Sequence, residues 1–154
     1  MKIFDDGIIL SADKYQENLL LIRLLSKENG ICSGIYRISQ KKTKNTSMAG
    51  TLVRFQKFSR LENQLGTIMF ENIRSFELQI MINKNNLYAF KILSNLILHS
   101  FAEIIPYSSL FDSLKSYLEN IKLSEFSYLN YLQMEMKILK EAGYGINLDP
   151  CAVC

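Results

Sequence analysis

The spacing of apolar residues changes near residue 76, and this change divides the chain into two kinds of structure. Up to that point the sequence consists of short apolar runs separated by turn signals. Five runs have the length of strands: residues 7–11, 19–25, 31–37, 51–59 and 67–76. Short strands bounded by Gly, Asn and Asp are typical of all-β units. The pattern therefore predicts a small closed β-barrel of the OB (oligonucleotide/oligosaccharide-binding) type.

Three of these runs need comment. Residues 19–25, rich in Leu, fit a helix as well as a strand, but the run is short and the polar turn at residues 28–30 favours a strand. Gly34 inside the third run predicts a bulge or a tight bend of the barrel. In the fourth run, strand alternation places Phe55 in the core and Arg54 on the opposite face.

After residue 76 the apolar residues recur at helical spacing. The spacing predicts helices over residues 87–101, 110–121 and 128–139. Pro106 would end the first helix, Ser108 or Ser109 would cap the second, and Ser124 would open the third. The predicted fold class is therefore α+β: a five-stranded OB-type barrel over residues 1–78, followed by an α-helical domain over residues 79–154.

Basic residues are concentrated in the predicted barrel. Residues 37–60 contain seven basic side chains and no acidic one. They are Arg37, Lys41, Lys42, Lys44, Arg54, Lys57 and Arg60. A segment of one charge sign repels itself and needs solvent or a polyanion to neutralise it. Because a basic loop beside basic strands is how a small barrel holds a nucleic-acid backbone, these residues are candidate contacts for nucleic acid. A solvated loop that keeps the protein in solution is the alternative reading.

Two aromatic residues lie among these cations. Tyr36 and Phe58 are candidates for stacking on nucleic-acid bases, and a place in the barrel core is the alternative for both. Residues 1–75 hold twelve Lys or Arg against seven Asp or Glu, whereas residues 76–154 hold six against eight. The balances of +5 and −2 sum to the net charge of +3 and assign the polyanion to the N-terminal half.

The start of the sequence predicts no secretory signal, since Asp5 and Asp6 follow soon after Met1 and Lys2 in place of an apolar core. We interpret the two aspartates as a solvated lead-in to the first strand. No segment reaches the roughly 18 apolar residues that a membrane span requires. These observations predict a cytoplasmic protein without a membrane partner.

Candidate metal and catalytic groups are sparse. Cys151 and Cys154 have the spacing of half a tetrahedral zinc site, but a structural site needs four ligands. Cys32 and His99, the third cysteine and the single histidine, could in principle complete the site, but nothing in the sequence brings them close to Cys151 and Cys154. His99 also precedes Glu103 by one helical turn, yet no nucleophile or phosphate-binding glycine loop accompanies them. We therefore expect no cofactor, no small-molecule substrate and no enzymatic activity.

Several segments resemble one protein family. They are GIILS at residues 7–11, SKENG at 26–30, GTLV at 50–53, LENQLGT at 61–67 and LKEAGYGINLD at 139–149, followed by Cys151. In this order and spacing they resemble the bacterial recombination mediator RecO family. That family has an N-terminal OB barrel and a helical domain. Its members normally continue well beyond this length, so the chain resembles a truncated member, and Gln16 stands where a Gly is common.

The resemblance implies several functions that composition does not. It implies binding to single-stranded and double-stranded DNA and annealing of complementary strands. It also implies partnership with RecR and with the C-terminal tail of the single-strand-binding protein, in order to load RecA. That acidic, apolar-tipped tail would need an apolar groove with a cation at its rim, which we expect in the helical half. Some relatives carry a four-cysteine zinc module, of which Cys151 and Cys154 would be the first two ligands.

Two other functions stay open from the residues alone. An RNA-binding OB module of translation or ribosome maturation would use the same basic loop. A protein-interaction module would present that loop to an acidic partner.

Overall fold

The computed structural model describes residues 1–38, 49–61, 64–123 and 125–145. Within these residues five strands precede four α-helices, which confirms the predicted α+β class. The strands are β1 (Lys2–Gln16), β2 (Leu19–Ser26), β3 (Gly30–Arg37), β4 (Thr51–Phe58) and β5 (Gly66–Ser75). The helices are α1 (Glu77–Ile82), α2 (Lys84–Ser100), α3 (Ser108–Glu119) and α4 (Tyr128–Leu139), and a π-helical turn (Lys140–Tyr144) follows α4.

The five strands form a closed barrel in the order β1-β2-β3-β5-β4, with β4 pairing back to β1. Strand β1 is long because it serves two neighbours: residues 2–8 pair with β4 and residues 7–16 pair with β2. The prediction that this strand spans only residues 7–11 is therefore wrong. The ambiguous second run is a strand, as predicted.

The barrel closes through a short parallel contact between β3 and β5, in which Gly34 lies beside Gly66 and Ile35 beside Thr67. A Cβ atom on Gly34 would come within 2.6 Å of the Ile68 side chain. Gly34 therefore permits a close approach of two strands. Of the two predicted alternatives, a bulge or a tight bend, the bulge does not occur, since the β2–β3 register runs through Ile22 and Gly34 without a shift.

Two apolar clusters form the core. One fills the barrel and includes Ile9, Ile22, Leu24, Val53, Phe55 and Ile68. The other joins one end of the barrel to the helices, with Ile8, Leu25, Ile31 and Leu52 packed among Phe76, Phe90, Leu93 and Leu114. Burying each such side chain contributes roughly 1.5–3 kcal/mol. The helices thus cover the barrel end where β3 begins and leave the end where β3 finishes open.

Helix α2 ends at Ser100, earlier than predicted, because the next residues pair with the barrel instead of continuing the helix. Phe101 has extended backbone angles, with φ −121° and ψ 141°. Glu103 forms bridges with Gly30 and Ile31, and the Ile104 amide donates to the Ile31 carbonyl at 3.4 Å. Pro106 is therefore not the residue that ends this helix.

The helix starts also differ from prediction. Neither Ser108 nor Ser109 caps α3: its N-cap is Tyr107, and Ser108 Oγ instead donates to the Lys27 carbonyl of the β2–β3 turn at 3.0 Å. Ser127 caps α4 by accepting from the Asn130 amide at 3.3 Å. Ser124 lies outside the described residues.

Of the helices in the described part of the chain, none has the length and apolar character needed to cross a membrane. The division between residues 78 and 79 stays a prediction.

Candidate nucleic-acid interface

A groove of about 970 Å³ opens at the barrel end that the helices leave uncovered. It lies where β3 and β5 separate beyond their short parallel contact. Among the residues that line it are four predicted contacts, Tyr36, Arg37, Phe58 and Arg60. The fold therefore brings together residues from β3, from β4 and from the segment after β4.

Tyr36 forms the aromatic floor of this groove together with Phe70. The two rings stack with their centroids 4.6 Å apart and their planes 27° from parallel. Both rings also pack against the barrel cluster, so Tyr36 is in part a core residue while it lines the groove; its stacking on bases stays a prediction. Stacking at this distance holds the two rings against each other. The exposed side of the pair is a preformed aromatic surface.

Phe58 lies on the outer face of β4 at the groove edge, with 36% of its surface exposed. The alternative reading of Phe58 as a core residue is therefore wrong. The Lys2 ammonium lies 5.4 Å from the centroid of the Phe58 ring, a cation–π distance. This contact places a positive charge beside an exposed aromatic ring.

The charges that the described residues place along the groove are of one sign. Arg37 and Arg60 are both exposed and both line it. Among the described residues that line the groove, none is Asp or Glu. Two guanidinium groups in a groove whose described lining contains no carboxylate suit an anionic backbone, because Arg binds phosphate through paired N–H donors.

Lys57 corrects the prediction of a surface cation on β4. Only 5% of its surface is exposed, and it lies between Ile3 on β1 and Ile68 on β5. The cause is the two-residue alternation of a strand, which places Lys57 on the same inward face as Phe55. The aliphatic part of its side chain therefore packs in the barrel, and Lys57 is not the exposed cation that we predicted.

Arg54 is exposed on the outer face of β4, but it is already paired. Its Nε lies 2.9 Å from Asp6 Oδ1 and its second nitrogen 3.3 Å from Asp6 Oδ2. The hydrogen bond that Arg54 donates to Asp6, together with the charge of that carboxylate, raises the pKa of Arg54. A phosphate at this position would have to compete with Asp6.

The other predicted ligands fall outside the described part of the chain. Lys41, Lys42 and Lys44 lie in the undescribed residues 39–48, and Cys151 and Cys154 lie in 146–154. Their roles in DNA binding and zinc binding stay predictions. Within the described residues, no three His, Cys, Asp or Glu side chains are grouped to hold a metal ion.

Asp5 corrects the reading of a solvated lead-in. Its carboxylate accepts hydrogen bonds from Ser26 Oγ, from the Glu28 amide at 2.8 Å and from Asn29 Nδ2 at 3.0 Å. Asp5 therefore stabilises the β2–β3 turn. The same turn contacts the start of α3, because the Lys27 carbonyl accepts a hydrogen bond from Ser108. The second aspartate, Asp6, pairs with Arg54 of β4, and both aspartates lie within β1, so neither precedes the strand.

The remaining chemical candidates lie apart from the groove. His99 is exposed in the last turn of α2, and Glu103 lies beyond the helix end, where its carboxylate accepts from Ser33 Oγ at 2.7 Å. Cys32 is buried in the barrel, and burial raises the pKa of its thiol to about 11 although the Lys57 charge acts to lower it.

Sequence reasoning missed three groove residues: Phe70, Met69 and Leu65. Met69 is 53% exposed and alternates with the buried Ile68, so strand alternation alone could have placed it outside. Nothing in the sequence distinguishes Phe70 from an ordinary core residue. Its role depends on meeting Tyr36 across the β3–β5 closure.

The architecture is that of an OB-type barrel followed by a helical domain, with an open aromatic and basic groove at the free end of the barrel. A family model described as "Recombination protein O N terminal" matches residues 1–76, and one described as "Recombination protein O C terminal" matches residues 84–154. The chain therefore belongs to the RecO family.

Curated relatives match almost all of this chain. A protein named DNA repair protein RecO from Orientia tsutsugamushi (strain Boryong) is 38% identical over 154 residues, which are 99% of this chain and 64% of the relative. The protein of the same name from Rickettsia typhi is 36% identical over 153 residues, again 99% of this chain and 64% of the relative. The chain thus spans about 64% of the length of these relatives.

Proposed function

We propose that this protein is a non-enzymatic DNA-binding protein of recombinational repair and that its barrel groove holds single-stranded DNA. The observation that carries the proposal is the convergence of Arg37 and Arg60 with the rings of Tyr36, Phe58 and Phe70 in one open groove. Cations that follow the backbone and aromatic rings that stack on bases are the two elements of sequence-independent single-strand binding. Membership of the RecO family supports the same function.

In this proposal the arginines bind phosphates and the rings bind bases. Phosphate contacts position the strand without reading its sequence. The predicted loop contacts Lys41, Lys42 and Lys44 would extend the phosphate-binding surface, since Ile38, the last described residue before that loop, follows Arg37 directly. Neutralising two strands at one surface lowers their repulsion and raises their local concentration. Annealing of complementary strands is therefore a binding activity here, and double-stranded DNA would bind through phosphates alone.

The partners proposed are RecR and the acidic tail of the single-strand-binding protein, with loading of RecA as the outcome. For the tail, α4 offers an exposed apolar stripe of Leu129, Leu132 and Met136, which are 65%, 50% and 46% exposed. Lys140 follows one turn later and is exposed. Lys137 is less suitable because its ammonium contacts Glu141 at 2.9 Å and Ser109 at 2.8 Å.

A salt titration of fluorescence anisotropy with a labelled single-stranded oligonucleotide tests the proposal. If about five phosphates are neutralised, log affinity falls with log salt with a slope near −3.5. Arg37→Glu/Arg60→Glu should weaken binding strongly and make the slope shallower by about 1.4, since each single-strand contact contributes roughly 0.7. Lys41→Glu/Lys42→Glu/Lys44→Glu tests the loop in the same way.

The matched control is Lys84→Glu/Lys91→Glu, which makes the same change in net charge at two exposed residues of α2. It should leave the slope unchanged. Equal weakening by both double variants would mean that net charge, and not the groove, binds DNA. A clear preference for an RNA oligonucleotide of the same sequence would instead favour the RNA-binding alternative. Absence of binding at low salt by folded protein would refute the proposal.

A further inference from the structure

The outer face of β1, β4 and β5 continues from the groove, and strand pairing orders its residues in rows. Lys2, Phe58 and Thr67 are paired across the three strands, and so are Phe4, Gln56 and Met69 two residues further along. The next row consists of Asp6, Arg54 and Glu71. Because side chains two residues apart on a strand point to the same face, these three rows form one surface.

Three large apolar side chains are exposed on this surface. Phe4 is 61% exposed, Met69 is 53% exposed and Phe58 is 36% exposed. Phe4 and Phe58 are diagonal neighbours across β1 and β4, a relationship that separates residues by roughly 7–8 Å. Neighbouring exposed apolar side chains rimmed by polar ones mark a binding surface more often than isolated ones do.

The charges give the surface a direction. The end of the surface next to the groove carries two cations: Lys2, whose ammonium lies over the Phe58 ring, and Arg60, which lines the groove. Two backbone hydrogen bonds between Met1 and Ser59, of 2.6 and 3.0 Å, hold the start of β1 beside the residue that precedes Arg60. The far end of the surface has the Asp6–Arg54 pair and Glu71. Phosphates are attracted at the first end and repelled at the second, so a polyanion that leaves the groove past Phe58 meets Phe4 and then reaches a boundary.

We propose that Phe4, with Lys2 beside it, is a second base-stacking position that extends the single-stranded DNA site from the groove onto the outer face of β1 and β4. This inference rests on the proposed function. Unpaired nucleic acid fits the surface better than an apolar peptide does, because the exposed rings are continuous with a cationic groove and a lysine lies over one of them. Duplex DNA cannot use these rings, since its bases are already stacked.

The test uses the absence of tryptophan from the chain. Phe4→Trp introduces a single indole whose fluorescence a stacked base should quench, and oligo-dT of increasing length, within roughly the 4–16 nucleotides that one OB barrel binds, is the probe. We expect no quenching by the shortest oligonucleotides that already bind in anisotropy, and strong quenching once the strand is long enough to leave the groove. Tyr15→Trp is the control, because Tyr15 is 53% exposed on the part of β1 that pairs with β2.

Phe4→Ala should then weaken binding of the long oligonucleotides by roughly 5- to 150-fold, the range for loss of one stacked base, and leave the shortest ones unaffected. Tyr15→Ala should change neither. Suppose that a long oligonucleotide binds without quenching the indole of Phe4→Trp and that Phe4→Ala binds it with unchanged affinity. That result would overturn the proposed stacking position at Phe4, while the proposal for the groove would stand. Loss at Phe4→Ala without quenching at Phe4→Trp would also overturn stacking. Failure of the unmodified protein to bind any oligonucleotide would refute both proposals.

Discussion

Asp6 and Arg54 face each other directly across the β1–β4 pair, and two hydrogen bonds of 2.9 and 3.3 Å join their side chains. The pair occupies a position on the outer barrel face where the sequence predicts a free cation. Asp6→Asn should release Arg54 and remove a repelling carboxylate, so single-stranded DNA should bind several-fold more tightly at low salt, with the slope steeper by up to about 0.7. Anisotropy titrations at several salt concentrations measure both quantities.

Glu119→Gln is the control for Asp6→Asn. It also removes one negative charge, and it releases a different arginine, Arg74, whose guanidinium lies 3.6 Å from Glu119. An equal gain in both variants would contradict a local role for Arg54.

Tyr36→Ala should weaken binding of single-stranded DNA by about 1–3 kcal/mol, the contribution of one stacked base. It also removes the ring against which Phe70 stacks, so the loss should lie toward the upper part of that range. Tyr36→Phe keeps the ring and should bind like the unmodified protein. Equal losses in both variants, measured by anisotropy, would mean that the hydroxyl and not the ring makes the contact.

Asp5→Ala should destabilise the fold by about 2–3 kcal/mol without changing the affinity of the folded protein for DNA. The reason is that three donors of the β2–β3 turn lose a charged acceptor, and hydrogen bonds to charged groups contribute roughly 1.5–3 kcal/mol. Urea denaturation measures the change. Asp112→Ala, at an exposed residue of α3, is the comparison and should change stability little. A loss of similar size there would show that negative charge in general matters.

Lys57→Met should leave the salt dependence of DNA binding unchanged, because the side chain lies inside the barrel between Ile3 and Ile68. Its free energy of unfolding should change by less than about 1.5 kcal/mol, since Met has a similar volume and shape. Arg60→Met is the matched variant and should make the slope shallower by about 0.7. If Lys57→Met made the slope of log affinity against log salt shallower, Lys57 would be a DNA contact after all.

The thiol of Cys32 should be protonated and unreactive in the folded protein at pH 8. Its pKa is raised to about 11 by burial, so the folded state favours the neutral form. That contribution to stability is complete below pH 9, the ordinary value of the group, and is lost as the pH rises through 11. Iodoacetamide labelling of Cys151→Ser/Cys154→Ser, which retains only Cys32, should be slow at pH 8 and fast in urea. Fast labelling without urea would contradict burial of this thiol.

Local sequence was sufficient to predict the five strands, helices near the observed α2, α3 and α4, and the fold class. The reason is that burial on one side imposes a two-residue period on a strand and a period of 3.6 residues on a helix. The same alternation that correctly placed Phe55 inside should also have placed Lys57 inside. Helix α1 was not predicted, because its six residues are too few to establish a period.

The groove was decided by tertiary structure. Arg37 and Arg60 could be proposed from charge, but only the parallel β3–β5 closure at Gly34 and Gly66 brings the ring of Phe70 against that of Tyr36. The early end of α2 likewise depends on a bridge between Glu103 and the start of β3. Such contacts join residues far apart in the chain, and no local period records them. The sequence by itself determined which segments form strands and helices and, through their periods, which side of most segments is buried; the three-dimensional closure of the barrel decided which strands pair and which exposed side chains meet.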